Sequence, residues 1–267
     1  MNHLKEAKRI VFKVGTSTLT HATGKTNLRR LDSIVRVLSD LSNAGLDIAL
    51  VTSGAIGVGV GKLGLSEKPK DMPSRQAAAC VGQSELMFIY DKFFSEYGKV
   101  IGQLLMTKSD VDNAERRMNL VNAFAQMFRY GVIPVINEND SVAVEEIAYG
   151  DNDNLSAIVA KLIHADALVI LTDTDGLFTG NPQTDDLARL IPMVDEITPE
   201  IQALAGESGT KQGTGGMVTK LHAAKTATEA GIDTVIMNGN TPEDIYKLVD
   251  GRSIGTFFKS QKKGETV

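Results

Sequence analysis

The sequence has a single cysteine, Cys80, so an internal disulfide is excluded. Its apolar setting, "AAACVG", fits a buried structural thiol, and no partnering base stands nearby in sequence to make it a nucleophile. The four histidines are scattered without metal-ligand spacing. Charge of one sign is also scarce. The net charge is -5 with no long run of either sign, whereas a nucleic-acid binder more often presents a basic surface. The one basic cluster, Lys259, Lys262 and Lys263, falls in a polar tail over residues 259–267 and reads as a solvated end. No uninterrupted apolar run is long enough to span a bilayer. The start, "MNHLKEAKRIVFKVG", lacks the apolar stretch of a signal peptide. These absences point to a cytoplasmic protein with no membrane and no nucleic acid among its partners.

What remains is ordinary in bulk and unusual in pattern. The 267 residues are 42% hydrophobic and 23% charged, ample for a sizeable core. Six short, nearly continuous apolar runs read as strands buried on both faces: "RIVFKV", "DIALVT", "KVIGQLLMT", "VIPVIN", "ALVILT" and "DTVIMN". Helical patterns alternate with them. Leu28, Leu31, Ile34, Val35, Leu38 and Leu41 share one helical face, with Thr26 or Asn27 to cap its start and Gly45 its end. Further helices are expected over 76–97, 113–130, 155–164 and 218–230. Alternation of this kind implies an α/β fold, a mainly parallel sheet with helices on both faces. There is no internal repeat and no low-complexity linker. The turn-rich, Asp-rich stretch 172–214 is expected to hold a hairpin and an inserted loop.

In open α/β sheets ligands gather at the carboxyl ends of strands, so the residues after each strand carry the chemistry. The first strand runs into "KVGTS", where Lys13 precedes Gly15 and two hydroxyl residues, a set suited to a polyanion and equally to a strand-edge lysine before an ordinary turn. The second runs into "VTSGAIGVG", whose small residues leave N–H groups at a helix start open to an anion. Gly59, Gly61 and Gly64 nearby spell GxGxxG, but they begin several residues after the strand, so close helix packing explains them better than a dinucleotide fingerprint. The fourth strand leads into "INENDSV", followed by "YGDNDNLSA". Polar turns and a helix cap explain part of this set, yet so many carboxylates and amides between apolar elements are costly unless they bind something. Asp140 suits an ammonium group, the amides suit a carboxylate, and Asp153 is placed to orient a lysine. "LTDTDGLFTGNP" allows either a turn or a nucleotide against the strand end. "GTGGMVTK" is Gly-rich but is not a P-loop, since Thr219 and not glycine precedes Lys220. It reads as a mobile loop delivering a second lysine, or as a plain loop with a surface lysine.

The succession "KVGTS", "VTSGAIGVG", "VIPVINENDSV", "GDNDNLSA", "LTDTDGL" and "GTGGMVTK" resembles the amino acid kinase family, from about Lys8 to Phe257. The forms "INEND" and "GDNDNLSA" resemble its glutamate-phosphorylating branch. The resemblance implies a three-layer α/β/α sandwich and ATP-dependent phosphorylation of the glutamate γ-carboxylate, the first step of proline synthesis. It implies that Lys13 and Lys220 stabilise the transferred phosphoryl group and that Asp153 holds them. Ser53, Asp140 and Asn152 would bind glutamate, with Asn137 and the Gly54 backbone beside them. Lys13, Gly15, Thr172, Asp173 and the run Thr214, Gly215, Gly216, Met217, Val218, Thr219 and Lys220 would bind ATP. Mg2+ would travel with the nucleotide and not on protein ligands. Proline is the implied inhibitor and a homo-oligomer the implied assembly. Residues 1–258 are expected as one domain, with a substrate-binding part to about residue 165 and a nucleotide-binding part after it. Many members of that branch continue into a domain of the type found in RNA-modifying enzymes. This chain stops at Val267, soon after "SIGTFF", and is expected to lack it. The rivals are a sister kinase acting on N-acetylglutamate, aspartate, carbamate or a nucleoside monophosphate, a nicotinamide-dependent oxidoreductase, and a non-catalytic ligand sensor. Retention of both lysines argues against a sensor.

Overall fold

The computed structural model describes residues 3–21, 25–143, 152–182, 184–207 and 216–261. In chain order the elements are β1 (Arg9–Val14), α1 (Thr16–Leu19), α2 (Leu28–Asn43), β2 (Asp47–Thr52), α3 (Ala55–Leu63), α4 (Met72–Glu96), β3 (Ile101–Met106), α5 (Lys108–Asp112), α6 (Ala114–Arg129) and β4 (Ile133–Glu138). There follow α7 (Asn152–Leu162), β5 (Ala167–Thr172), β6 (Met193–Val194), α8 (Pro199–Glu207), α9 (Met217–Glu229), β7 (Asp233–Asn238), α10 (Asp244–Val249) and β8 (Thr256–Phe258). The strands form an eight-stranded sheet in the order β3-β4-β2-β1-β5-β7-β8-β6. It is mainly parallel: β2 and β3 each pair parallel with β4, β5 with β7 and β6 with β8, while β7 and β8 run antiparallel. Among the described residues no helix is long and apolar enough to cross a membrane.

The chain divides into two compact units, residues 14–150 and residues 1–13 with 151–267. In the first, Asn27 accepts a hydrogen bond from the Arg30 N–H and caps α2, and Gly45, at φ 95°, follows its end. The apolar stripe of α2 is buried through Leu31, Ile34, Val35 and Leu38. Burial of each such side chain is worth about 1.5–3 kcal/mol. Tyr90 and Phe94 of α4 lie fully inside this unit, their ring centroids 6.3 Å apart. The Tyr90 hydroxyl meets the Thr52 hydroxyl at 2.8 Å, and burial pushes the phenol pKa upward. Two glycines bring α3 against α4. A Cβ on Gly59 would stand 1.8 Å from the Ala78 carbonyl oxygen, and one on Gly82 would stand 1.7 Å from that of Ala55. Packing is thus the role of Gly59, whereas Gly64 closes α3 at φ 67° and a Cβ on Gly61 would meet nothing within 4 Å.

Cys80 corrects the sequence expectation: it is exposed. The buried side of α4 is made by Ala78, Ala79, Gly82, Gln83 and Leu86. At about 100° per residue, Cys80 turns away from that side, a phase that its uniformly apolar neighbours conceal.

In the other unit, Asp166 accepts hydrogen bonds from the Lys8 and Arg9 N–H groups at 2.7 and 2.8 Å, and the Asp166 N–H returns one to the Arg9 carbonyl. This sets the start of β1 and so the position of Lys13 near its end. Helices α7 and α9 pack on one another, with Ala157 and Ala160 buried on the first and Ala223, Ala224 and Ala227 on the second. The stretch 172–214 holds an antiparallel bridge between Phe178 and Leu190, as a hairpin would. It also holds β6 and the helix α8, where an irregular loop was expected.

Candidate active site

The first group of functional side chains lies in the unit of residues 1–13 and 151–267. Asp153, in the first turn of α7, is fully buried. Its Oδ1 stands 2.5 Å from the Lys13 ammonium and its Oδ2 stands 3.2 Å from that of Lys220. Both lysine side chains are buried, at 4% and 7% exposure. Close packing of α7 on α9 sets their first turns side by side, which is how Asp153 meets Lys220. Thr219 lies in the same place: its hydroxyl is 3.0 Å from Asp153 Oδ2 and 2.8 Å from the Gly216 carbonyl oxygen. One turn on, His222 Nδ1 and Asn154 Oδ1 are 2.7 Å apart. Two buried ammonium groups thus share one buried carboxylate, and such a pairing fixes the aim of both.

Lys220 is therefore a buried residue of a helix. This fits the helix expected over 218–230 and corrects the alternative of a plain loop with a surface lysine. Gly216 is the N-cap of α9, and Met217, Val218, Thr219 and Lys220 form its first turn. Val218 is exposed. Thr214 and Gly215 lie outside the described residues, as do Tyr149, Gly150 and Asp151 of the Asp/Asn-rich motif and residues 262–267 of the tail. Asn152 begins α7. Thr172 ends β5 nearly buried, its hydroxyl donating to Asp173 at 3.1 Å, and Asp173 is exposed.

The second group lies in the unit of residues 14–150. Ser53 and Gly54 link β2 to α3. Gly54 is the N-cap at φ 97°, a left-handed conformation that favours glycine, and no side chain caps this end. Gly15 is the extended N-cap of the short α1. Asn137 and Glu138 end β4, and Asp140 follows in the turn. Asn137 is buried: its Oδ1 accepts from the Glu138 N–H at 2.9 Å and its Nδ2 donates to Gln83 Oε1 at 2.7 Å.

Two carboxyl groups of this turn are costly to ionise. Burial, then the neighbouring Asp140 charge, raise Glu138 to about 7. Asp140 is also raised, chiefly by burial, with Arg75 and Lys68 opposing the shift. Two carboxyl groups that are costly to ionise together gain from a partner of positive charge. The sequence reading missed Glu138, Arg75 and Gln83. Glu138 stood inside the motif already noted. The signal for Gln83 was its place one residue after Gly82, but nothing in sequence distinguishes that glutamine from a surface one.

Among the described residues no group of three His, Cys, Asp or Glu is arranged to hold a metal ion. The donors present, ammonium and hydroxyl groups, suit the phosphates of a metal–nucleotide complex and not a bare cation.

The sequence profile described as the amino acid kinase family matches residues 8–238. Among relatives, a glutamate 5-kinase of Moorella thermoacetica is 55% identical over 96% of this chain and 68% of its own length. One of Clostridium perfringens is 50% identical over 98% of each. Among solved structures, UMP kinase from Bacillus anthracis aligns with a TM-score of 0.64 at 15% identity, over 96% of this chain and 97% of that one. An isopentenyl phosphate kinase of T. acidophilum gives 0.65 at 20% identity, over 94% of this chain and all of that one. At these identities the two structures speak for the fold alone.

Proposed function

The chain belongs to the amino acid kinase family, and from that premise we propose that it transfers the γ-phosphoryl group of ATP to the side-chain carboxylate of L-glutamate. The products are γ-glutamyl phosphate and ADP. The observation that carries the chemistry is the buried Lys13–Asp153–Lys220 triad, which sets two ammonium groups on one carboxylate.

A γ-carboxylate oxygen of glutamate attacks the γ-phosphorus of ATP. The new O–P bond forms as the bond to the β,γ-bridging oxygen breaks, and ADP leaves with that electron pair. The carboxylate is already ionised at neutral pH, so no general base is required. The obstacle is electrostatic, a carboxylate approaching a triphosphate, and it is met by positioned donors more than by covalent chemistry. Lys13 and Lys220 donate to the oxygens of the moving phosphoryl group, and Asp153 keeps both ammonium groups aimed. Thr172, Asp173 and the first turn of α9 hold the nucleotide. Mg2+ carried by the nucleotide phosphates supplies further neutralisation of the developing charge.

Asp140 and Glu138 suit the α-ammonium of glutamate, which separates it from N-acetylglutamate, whose nitrogen is neutral. Ser53, the Gly54 backbone, Asn137 and Asn152 complete the proposed substrate set. The reaction stands first in proline synthesis, in the cytoplasm. Proline, which shares the α-carboxylate and a positive nitrogen but has no γ-carboxylate, is proposed as a dead-end ligand of the same residues.

The test is an ATP-dependent assay with hydroxylamine as the trap, run over a panel of amino acids. Hydroxamate should form with L-glutamate and far less with aspartate or N-acetylglutamate. Comparable turnover of N-acetylglutamate would overturn the assignment.

A further inference from the structure

Gln83 is nine-tenths buried on the inner side of α4, in a place that neither packing nor helix formation requires of a glutamine. Its amide orientation is determined by its neighbours. The Glu138 backbone N–H can only donate, so the atom of Asn137 facing it is Oδ1. The Nδ2 of Asn137 is thereby directed at Gln83, and the Gln83 atom that receives it at 2.7 Å must be Oε1. Nε2 is left as the far end of this relay, buried and without a hydrogen-bond partner among the described residues. A buried donor without a partner is destabilising, and a ligand that supplies the missing acceptor offsets that cost.

Two other features place this donor at the proposed substrate residues. Gly82 lets the α4 backbone touch the first turn of α3 at Ala55, directly after Ser53 and Gly54. Gln76, seven positions before Gln83 and so on the same face of α4, donates from Nε2 to the Ala143 carbonyl at 3.4 Å. The same end of α4 carries Arg75, whose charge acts on Asp140. One face of α4 therefore supports the turn 137–143 and carries, at Gln83, an amide N–H with no acceptor among the described residues.

We propose that Gln83 is a substrate-binding residue whose Nε2 donates to the α-carboxylate of the amino-acid substrate, with Asn137 holding it in that orientation. This rests on the glutamate reading given above. The α-carboxylate is the match because it shares a carbon with the α-ammonium, and the carboxyl groups that suit an ammonium, Glu138 and Asp140, directly follow Asn137. Gln83 contributes binding and no chemistry.

Two near-isosteric variants separate this role from a structural one. Gln83→Glu keeps an acceptor for Asn137 Nδ2 but replaces the donor with a negative oxygen. Gln83→Met removes both groups at nearly constant volume. Loss of a hydrogen bond to a charged group corresponds to about a 10- to 100-fold weakening. KM for glutamate should therefore rise by about that factor in both variants, while kcat stays within a few-fold and KM for ATP is unchanged. Should Gln83→Glu fail to fold, as judged by circular dichroism and by ATP-dependent thermal stabilisation, the neutral Gln83→Met decides alone. A Gln83→Glu enzyme with wild-type KM overturns the proposal in favour of a prop for Asn137. So does a Gln83→Met enzyme with wild-type KM. A collapse of kcat at constant KM overturns it too, since it would put the contact on the reacting γ-carboxylate. Wild-type enzyme inert toward glutamate would overturn the functional reading and this inference together; active wild type with silent variants overturns the inference alone.

Discussion

The triad of Lys13, Asp153 and Lys220 makes opposite demands on folding and on catalysis, and substitution separates them. Asp153→Asn removes the carboxylate that two ammonium groups, at 4% and 7% exposure, share. Breaking a buried ion pair from one side costs about 3–5 kcal/mol, and this single change breaks two. For a chain of this size that is a fall in Tm on the order of 10 °C. Lys13→Met acts differently. It leaves a neutral Lys220–Asp153 pair and keeps the apolar volume of the lysine stem, so stability should stay within about 1 kcal/mol of wild type. Its cost falls on the reaction: removal of one donor to developing charge typically lowers kcat on the order of 10²–10³. Adding Lys13→Met to Asp153→Asn should restore part of the lost stability, because it removes one of the two buried ammonium groups that lost the Asp153 carboxylate. Urea unfolding followed by circular dichroism, beside the hydroxamate assay, measures both quantities. An Asp153→Asn protein within 1 kcal/mol of wild type, or a Lys13→Met protein as unstable as Asp153→Asn, would refute the reasoning.

Glu138, raised to about 7, should make stability fall with pH. A carboxyl whose folded pKa exceeds its unfolded value contributes fully below the unfolded pKa, and that contribution is lost as pH rises through the folded one. The ligand-free protein should thus lose stability between about pH 4.5 and 7 through this group, and Glu138→Gln should flatten that slope in melts across the series. The same ionisation should lower KM for glutamate as pH rises from 6 to 8, an effect that Glu138→Gln removes and that a flat wild-type profile would deny. Gly82→Ala should destabilise the protein by at least the 1–3 kcal/mol or so of ordinary overpacking, since its Cβ would meet a backbone carbonyl that cannot rotate away. Gly61→Ala, where the Cβ meets nothing within 4 Å, is the control for both melts. Asp140→Ala should weaken glutamate and proline together, because each then brings an ammonium to a site short of its counter-charge; proline inhibition that saturating glutamate does not relieve would place proline elsewhere.

The strands and most helices were legible because their signals are local. "RIVFKV", "DIALVT", "ALVILT" and "DTVIMN" are strands over the residues named, since a buried parallel strand must be apolar on both faces and says so residue by residue. Asn27 was one of two candidates for a cap, and its side chain makes the bond. Cys80 was misread because apolar residues are spread round α4 with no dominant stripe, so period alone does not reveal which side is buried. The helix α8 went unseen because it is short and follows a turn-rich stretch that reads as loop.

The chain by itself determined which chemical groups are available: two lysines after a strand and after a glycine run, an aspartate at a helix start, a polar turn after a strand. Their types and local neighbours are written in the order of residues. Only the tertiary structure decided which of them meet. Lys13, Asp153 and Lys220 are far apart in sequence. They converge because Asp166 sets the start of β1 and because small residues let α7 lie close to α9, so that one carboxylate serves two ammonium groups. Gln83 gains its meaning in the same way, from a contact with Asn137 made 54 residues along the chain. Charge pairing and amide orientation depend on distances of a few ångströms between groups far apart in the chain, and a linear pattern does not contain those distances.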